Sequence, residues 1–264
     1  MRKLRRAIKH IKLYYSNRTA IKCAHDLLKE YFGNDIKIKF ASMGGEDLNY
    51  TLQKDGKIFA IFRQSISSQT SSTHSSTFPI QRQNKKARFE KEIFAYTYGG
   101  KCGLTPKLLY VCDYGVVCEY IHGKNLWNQV KKDPQSIWKI LTEVIKVYLE
   151  LHKLGISHLD ATLKNCIYDE STKKIKVFDF EYYAMPELNF ATQQAYDIVR
   201  IIEHSLRIIP PIYQNNFDFF IDFLKDALPE EVKKADFSLV EGLLQGIKKF
   251  SIYGELKRYI FNDL

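Results

Sequence analysis

The sequence predicts an α+β protein of two lobes, a β-rich half followed by a helical half. Three observations carry this. Residues 35–65 show strand-like alternation broken by turn signals, the apolar period changes to that of a helix after Gly123, and a short β-hairpin from Cys166 to Phe180 stands within the helical half.

Taken in order, TAIKCAHDLLKEYFG reads as a helix that stops at Gly33. DIKIKFAS alternates, a Gly44-Gly45 turn follows, and LNYTLQ and KIFAIFRQ flank Lys54-Asp55-Gly56, a hairpin turn. The Ser/Thr-rich stretch SISSQTSSTHSSTFP has almost no large apolar residue and reads as a mobile loop. RFEKEIFAYTYGG reads as a helix ending on glycines, and KLLYVCDYG and VVCEYI as two further strands. SIWKILTEVIKVYLELHKLG places Ile137, Ile140, Leu141, Val144, Ile145, Tyr148 and Leu151 on one face, the pattern of a buried helix. AYDIVRIIEHSLRII, NNFDFFIDFLKDAL and SLVEGLLQGIKKF read as three more helices. The chain thus divides into a basic helical extension (1–34), a β-rich lobe (35–122) and a helical lobe (123–264).

The 264 residues are 45% hydrophobic and 27% charged, the balance of a folded domain able to bury a core. No apolar run approaches the ~18 residues of a membrane span, and the basic N-terminus lacks the continuous apolar segment and cleavage site of a secretory signal. Five scattered cysteines without a C-x-x-C pair argue against a disulfide framework or zinc site and for a reducing cytoplasm.

The formal net charge of +10 attracts anions. Arg2, Lys3, Arg5, Arg6, Lys9, Lys12, Arg18 and Lys22 all precede the first acid, Asp26, while Leu4, Ile8, Ile11 and Tyr15 fall at helical spacing. Two readings stay open: residues 1–18 lie as a basic amphipathic helix on an anionic membrane, peripheral to a cytoplasmic enzyme, or the helix packs its apolar stripe on the main domain. A nucleic-acid role has only the basic arm in its favour, with no recognised motif or aromatic–basic platform behind it.

The chemistry concentrates between Ile156 and Tyr182. His158-x-Asp160 is followed by Asn165, then by the β-rich run KIKVFDF with Asp179 near its end. Phosphoryl transfer from Mg-ATP needs such a set, one carboxylate to orient and deprotonate a hydroxyl and an amide plus a carboxylate to hold metal.

These residues resemble the protein-kinase-like superfamily, and within it the aminoglycoside phosphotransferase and choline kinase branch. His158-Leu-Asp160-Ala-Thr-Leu-Lys-Asn165 is similar to the H-x-D-x-x-x-x-N catalytic loop, and Asp179-Phe-Glu181 to the branch's D-x-[DE] metal motif. The resemblance implies ATP and Mg²⁺ as cofactors, Asp160 as base, Asn165 and Asp179 as metal ligands, and Glu181 at a second metal. It covers Gly44 to Asp197, a little over half the chain. Arg63 stands where protein kinases place a phosphate-binding lysine, and this branch accepts arginine there. Glu92 resembles the helix glutamate that pairs with that cation, with Glu90 as the competing choice. Gly44-Gly45-x-x-x-Asn49 resembles the glycine-containing phosphate loop, although the family places its asparagine one residue earlier. Glu119-Tyr-Ile121-His-Gly123 resembles the hinge whose main chain binds the adenine edge. Asp197 resembles the aspartate that braces the catalytic loop from below.

Between Glu181 and Asp197 there is no room for an activation loop and peptide platform, and Ala184-Met-Pro-Glu187 only imitates the A-P-E motif. This favours a small-molecule or glycan acceptor. The basic chain suits a negatively charged one, and lipopolysaccharide-core sugar kinases of the same superfamily have such acceptors. A choline or ethanolamine kinase is the next reading, then a protein kinase or a pseudokinase scaffold.

Overall fold

The computed structural model describes residues 14–44, 47–65, 79–82, 84–262 and 264. It is an α+β protein in which a β-sheet region precedes a helical region, an arrangement compatible with two lobes. The first region holds α1 (Arg18–Phe32), β1 (Lys37–Gly44), β2 (Asp47–Lys54), β3 (Lys57–Ser65), the short β4 (Ile80–Arg82), α2 (Lys85–Lys101), β5 (Leu108–Cys112) and β6 (Gly115–Glu119). Then come β7 (Gly123–Asn125), α3 (Leu126–Lys132), α4 (Ile137–Lys153), β8 (Cys166–Asp169), β9 (Lys174–Val177), β10 (Tyr182–Ala184), α5 (Phe190–Leu206), α6 (Asp218–Ala227), α7 (Glu230–Lys233) and α8 (Ile252–Tyr259).

The five-stranded sheet has the order β1-β2-β3-β6-β5, antiparallel throughout. The β2–β3 turn needs a left-handed backbone at both central positions, and Asp55 (φ 51°) and Gly56 (φ 76°) supply it. Alternation along β2 and β3 sends Leu48, Leu52, Ala60 and Phe62 into a core with Val117 of β6. Ile21, Ala24 and Leu28 of α1 pack into that core. Of the apolar stripe expected on the basic arm, Tyr15 is exposed, and Leu4, Ile8 and Ile11 lie outside the described residues. The Ser/Thr-rich stretch likewise lies outside them at 66–78.

A second, larger core is centred on α4 and α5. Leu141, Val144, Ile145 and Tyr148 of α4 meet Ile198, Ile201 and Ile202 of α5, with Phe220, Leu224, Leu256 and Phe261 from the tail. Each such side chain contributes about 1.5–3 kcal/mol by leaving water. The tail differs from expectation in one segment. SLVEGLLQGIKKF forms two separate 3₁₀ turns, Glu241–Leu244 and Ile247–Lys249, in place of a helix. Gly242 and Gly246 weaken helix propagation there, and Gly246 lies so close to the Glu203 and Arg207 side chains that a Cβ would collide with both.

Two pairings position the site. Strands β7, β8 and β9 form a small sheet at the head of the helical region, and β10 pairs with β4 across about a hundred residues of sequence. The second pairing draws the chain after Glu181 back toward α2, where the Tyr183 hydroxyl donates to the Ala87 carbonyl (2.7 Å).

Candidate functional site

A cleft of about 560 Å³ opens between the large sheet and the segment 178–182. Its walls include Arg63, Glu92, Glu119, Ile121, Asp179 and Glu181 among the residues singled out from sequence, together with Asp47, Asn49 and Tyr96.

Arg63 sits on β3 directly opposite Asn49 and Val116, with its guanidinium turned into the cleft. It donates to Glu92 (2.7 Å), Asp179 (2.7 Å), Asp47 (2.8 and 3.0 Å) and Glu181. Burial opposes its charge, but Glu92, Asp179 and Asp47 outweigh that and hold the guanidinium cationic well above its ordinary range. Glu92, and not Glu90, is therefore the helix glutamate at Arg63. Glu90 is exposed one turn from Lys86 (3.9 Å), because position 90 faces away from the sheet while 88 and 92 face inward. Burial pushes the Glu92 carboxyl up, against the pull of Arg63, and the Tyr96 hydroxyl donates to it (2.9 Å).

Two members of this cluster were not singled out in the sequence. Arg88, one turn before Glu92, is buried and reaches Asp47 (3.1 Å), Glu181 (3.4 Å) and Ser65 (3.3 Å). Burial works to raise the Asp47 carboxyl, yet Arg63 and Arg88 together hold it below the ordinary range. The period of α2 offered the only signal for Arg88: residues four apart share a helix face.

The segment 158–165 is tied to Phe178, which lines the cleft. The Asn165 amide donates to the Asp160 carbonyl (3.1 Å), and the Asn165 carbonyl accepts from Phe178 N–H (3.0 Å), which ties the loop to the residue before Asp179. His158 donates from Nε2 to the Phe178 carbonyl (3.0 Å) and accepts at Nδ1 from Asp160 N–H (3.2 Å). A carbonyl can only accept and an N–H only donate, so these two bonds assign the neutral Nε2–H tautomer. Asp197, wholly buried on α5, accepts from the N–H groups of His158 and Leu159 (both 2.7 Å) and from His152 Nε2 (3.1 Å). These bonds hold Leu159 at φ 67°, a left-handed conformation unfavourable for a branched side chain. Asp179 is left-handed as well (φ 75°), and its N–H donates to the Tyr96 hydroxyl (3.3 Å).

The Asp160 carboxyl is about one-third exposed, with Arg200 Nη2 at 3.8 Å. Burial raises its pKa, and the Arg200 guanidinium opposes that rise without cancelling it. Arg200 is the third residue that the sequence did not single out; on α5 it lies one turn beyond Asp197.

Gly44 ends β1 opposite Asp47, and Gly45 lies outside the described residues. Asn49 donates its amide to the Ser42 hydroxyl (3.2 Å), bridging β2 and β1 at the cleft wall. In the stretch from Glu119 to Gly123, Glu119 N–H donates to the Lys107 carbonyl (2.9 Å) and Tyr120 N–H to the Phe59 carbonyl (3.0 Å). The Ile121 N–H and carbonyl make no hydrogen bond among the described residues, and Ile121 lines the cleft. The Glu119 side chain turns to Lys176 (2.9 Å).

Among the described residues no three of His, Cys, Asp and Glu form a metal cage. Asn165 and Asp179 each have one oxygen uncommitted to the bonds above, a pair of hard donors that fits Mg²⁺ only if phosphate and water oxygens complete its shell.

No protein-family model matches the chain. Over 69 residues, 25% of its length, the chain is 30% identical to a probable serine/threonine-protein kinase (fnkB) of Dictyostelium discoideum, and it spans 13% of that protein. This likeness supports a kinase-like relationship at most.

Proposed function

We propose that this protein is an ATP- and Mg²⁺-dependent phosphotransferase whose acceptor is a hydroxyl on a small molecule or glycan. The observation that carries the reading is the junction at Asn165, which bonds Asp160 on one side and Phe178, beside Asp179, on the other. Asp160 is the candidate base and Asn165 and Asp179 the candidate metal ligands, beside a cleft whose wall carries Asp179 and a buried Arg63–Glu92 pair. In this reading Ile121 and the Glu119 main chain meet the adenine edge, and Gly44 and Gly45 the phosphates. Asn165 and Asp179, with Glu181 nearby, hold Mg²⁺, which when bound neutralises phosphate charge. Asp160 orients the acceptor hydroxyl and takes its proton.

The acceptor is read as small because only Met185–Asn189 separate β10 from α5, which leaves no room for a peptide platform. A lipopolysaccharide-core or related sugar is the first specific choice and a choline- or ethanolamine-type alcohol the second. A protein kinase or a pseudokinase scaffold would require an acceptor platform or a partner surface that no observation favours. Residues 1–18 are read as a contact with an anionic membrane; liposomes containing anionic lipid should recruit the full chain and not one beginning at Thr19, and equal recruitment would end that idea.

The test of the main reading is Mg²⁺-dependent ATP consumption with a panel of sugars and amino-alcohols. Asp160→Asn and Asp179→Asn should each lower turnover by about 10²-fold or more while the proteins stay folded. A wild type that neither binds Mg-ATP nor consumes it overturns the proposal.

A further inference from the structure

Beside the loop that carries Asp160, four cations gather around fewer acids. Lys164 directly precedes Asn165, and its ammonium lies 4.5 Å from the centre of the Trp127 ring. Lys131, one turn after Trp127 on α3, lies 5.1 Å from the same ring. Both lysines are exposed, and neither is paired with a carboxylate among the described residues. The loop and α3 are locked together, since the Asn125 amide donates to the Lys164 carbonyl (2.7 Å).

The adjoining face of α5 adds Arg200 and Arg207. They share the buried Glu203, at 2.8 and 2.5 Å, and Arg200 also approaches Asp160. His204, between them in sequence, lies with its ring 4.7 Å from that of Trp127 and tilted by 33°. Its Nδ1 is buried with no hydrogen-bond partner among the described residues. Burial, then Arg200, Lys164 and Arg207, push the ring down to about 4, so it stays neutral amid the cations. Four cations, Lys131, Lys164, Arg200 and Arg207, thus face two carboxylates, Asp160 and Glu203, which leaves the patch positive. Lys131 and Lys164, both held at the Trp127 ring with no carboxylate paired to them among the described residues, give the patch two ammonium groups that an anion would neutralise.

We infer that the acceptor carries an anionic group, a phosphate or a carboxylate, seated on Lys131 and Lys164 beside Trp127 while its hydroxyl stands at Asp160. This rests on the phosphotransferase reading and names the acceptor's chemistry. A polycationic acceptor would be repelled by the same patch. The anionic group belongs either to a phosphorylated or acidic sugar or to an anionic lipid headgroup.

The test is a fluorescence titration of the full chain, read at Trp127, with glucose 1-phosphate, glucose, inorganic phosphate and vesicles of phosphatidylglycerol in phosphatidylcholine. Trp127→Phe establishes which part of the signal is local. Glucose 1-phosphate should bind saturably and glucose should not, and Lys131→Gln and Lys164→Gln should each weaken binding by about tenfold, the loss of one charge-assisted contact. Binding of the vesicles together with inorganic phosphate, but no gain from the sugar, would place the anion on a lipid. Equal binding of glucose and glucose 1-phosphate, or affinity unchanged in both lysine variants, overturns the inference. Mg-ATP binding is measured in parallel by calorimetry: its absence would overturn the phosphotransferase reading while leaving the anion result to stand or fall by itself.

Discussion

Asp197 shows how one buried carboxylate sets the geometry of a loop it does not belong to. Burial alone would raise its pKa, but His152 and the His158 N–H hold it below the ordinary range. A depressed carboxyl contributes stability that is fully present above its unfolded value, about 3.9, and is lost as pH falls through the folded value. Asp197→Ala should cost on the order of 3 kcal/mol at pH 7, because it strands the N–H groups of His158 and Leu159 and releases the left-handed Leu159. The gap between wild type and variant should narrow when urea denaturation is repeated below about pH 4. A gap independent of pH would show that the carboxylate is not what holds the loop. Asp160 carries the opposite shift. Its raised pKa predicts an acid limb in kcat/KM above the usual carboxylate range, lost as Asp160 is protonated. Arg200→Gln removes a charge that opposes that rise, so it should move the limb to higher pH; a pH–rate profile displaced the other way would contradict the assignment.

At the scale of elements, the site depends on how closely β6 approaches β3. A Cβ on Gly115 would run into the Arg63 carbonyl and the Phe62 ring. Gly115→Ala should force the strands apart at the residue that carries the Arg63 guanidinium, with a loss of roughly 1–3 kcal/mol in thermal stability and weaker Mg-ATP binding. Gly56→Ala is the control: its Cβ would meet nothing, so although its positive φ costs stability, nucleotide affinity should hold. This dependence was not legible in the sequence, where Gly115 is only the last residue of the strand segment KLLYVCDYG. What was legible followed local patterns: the long strands, the α4 stripe, and the H-x-D and D-x-E spacings each lie within one element or one hairpin. The missed parts required distant segments to meet. Arg88 and Asp47 are ordinary charges until α2, packed on β5 and β6, brings Arg88 to the first residue of β2, and β4 is three residues that become a strand only because β10 pairs with them. The segment SLVEGLLQGIKKF was misread as helix because its apolar spacing suits either state, and the closeness of Gly246 to the Glu203 side chain decides between them.

Over the whole molecule, the two cores are joined across the cleft by charge as well as by chain. Arg63, Arg88, Asp47 and Glu92 come from the sheet region, and Asp179 and Glu181 from the helical one. The guanidinium that would receive phosphate is thus already engaged by carboxylates, so a free nucleotide brings its anionic phosphates toward anionic walls. A divalent cation at Asn165 and Asp179 reverses that sign locally. Mg-ATP should therefore raise the melting temperature where ATP with a chelator does not. At a hundred times its dissociation constant the stabilisation is about 2.7 kcal/mol. For a chain of this size that corresponds to roughly 5–10 °C. Asp179→Asn should abolish the difference between the two conditions, since it removes a candidate ligand charge that also pairs with Arg63. Leu28→Ala separates this effect from general weakening. It hollows the sheet core at α1 for about 2–5 kcal/mol, lowers the baseline melting temperature, and leaves the Mg²⁺-dependent increment in place. An equal shift by ATP with and without Mg²⁺ would mean that the nucleotide is held by cations alone, and the pairing of Asn165 with Asp179 would lose its purpose.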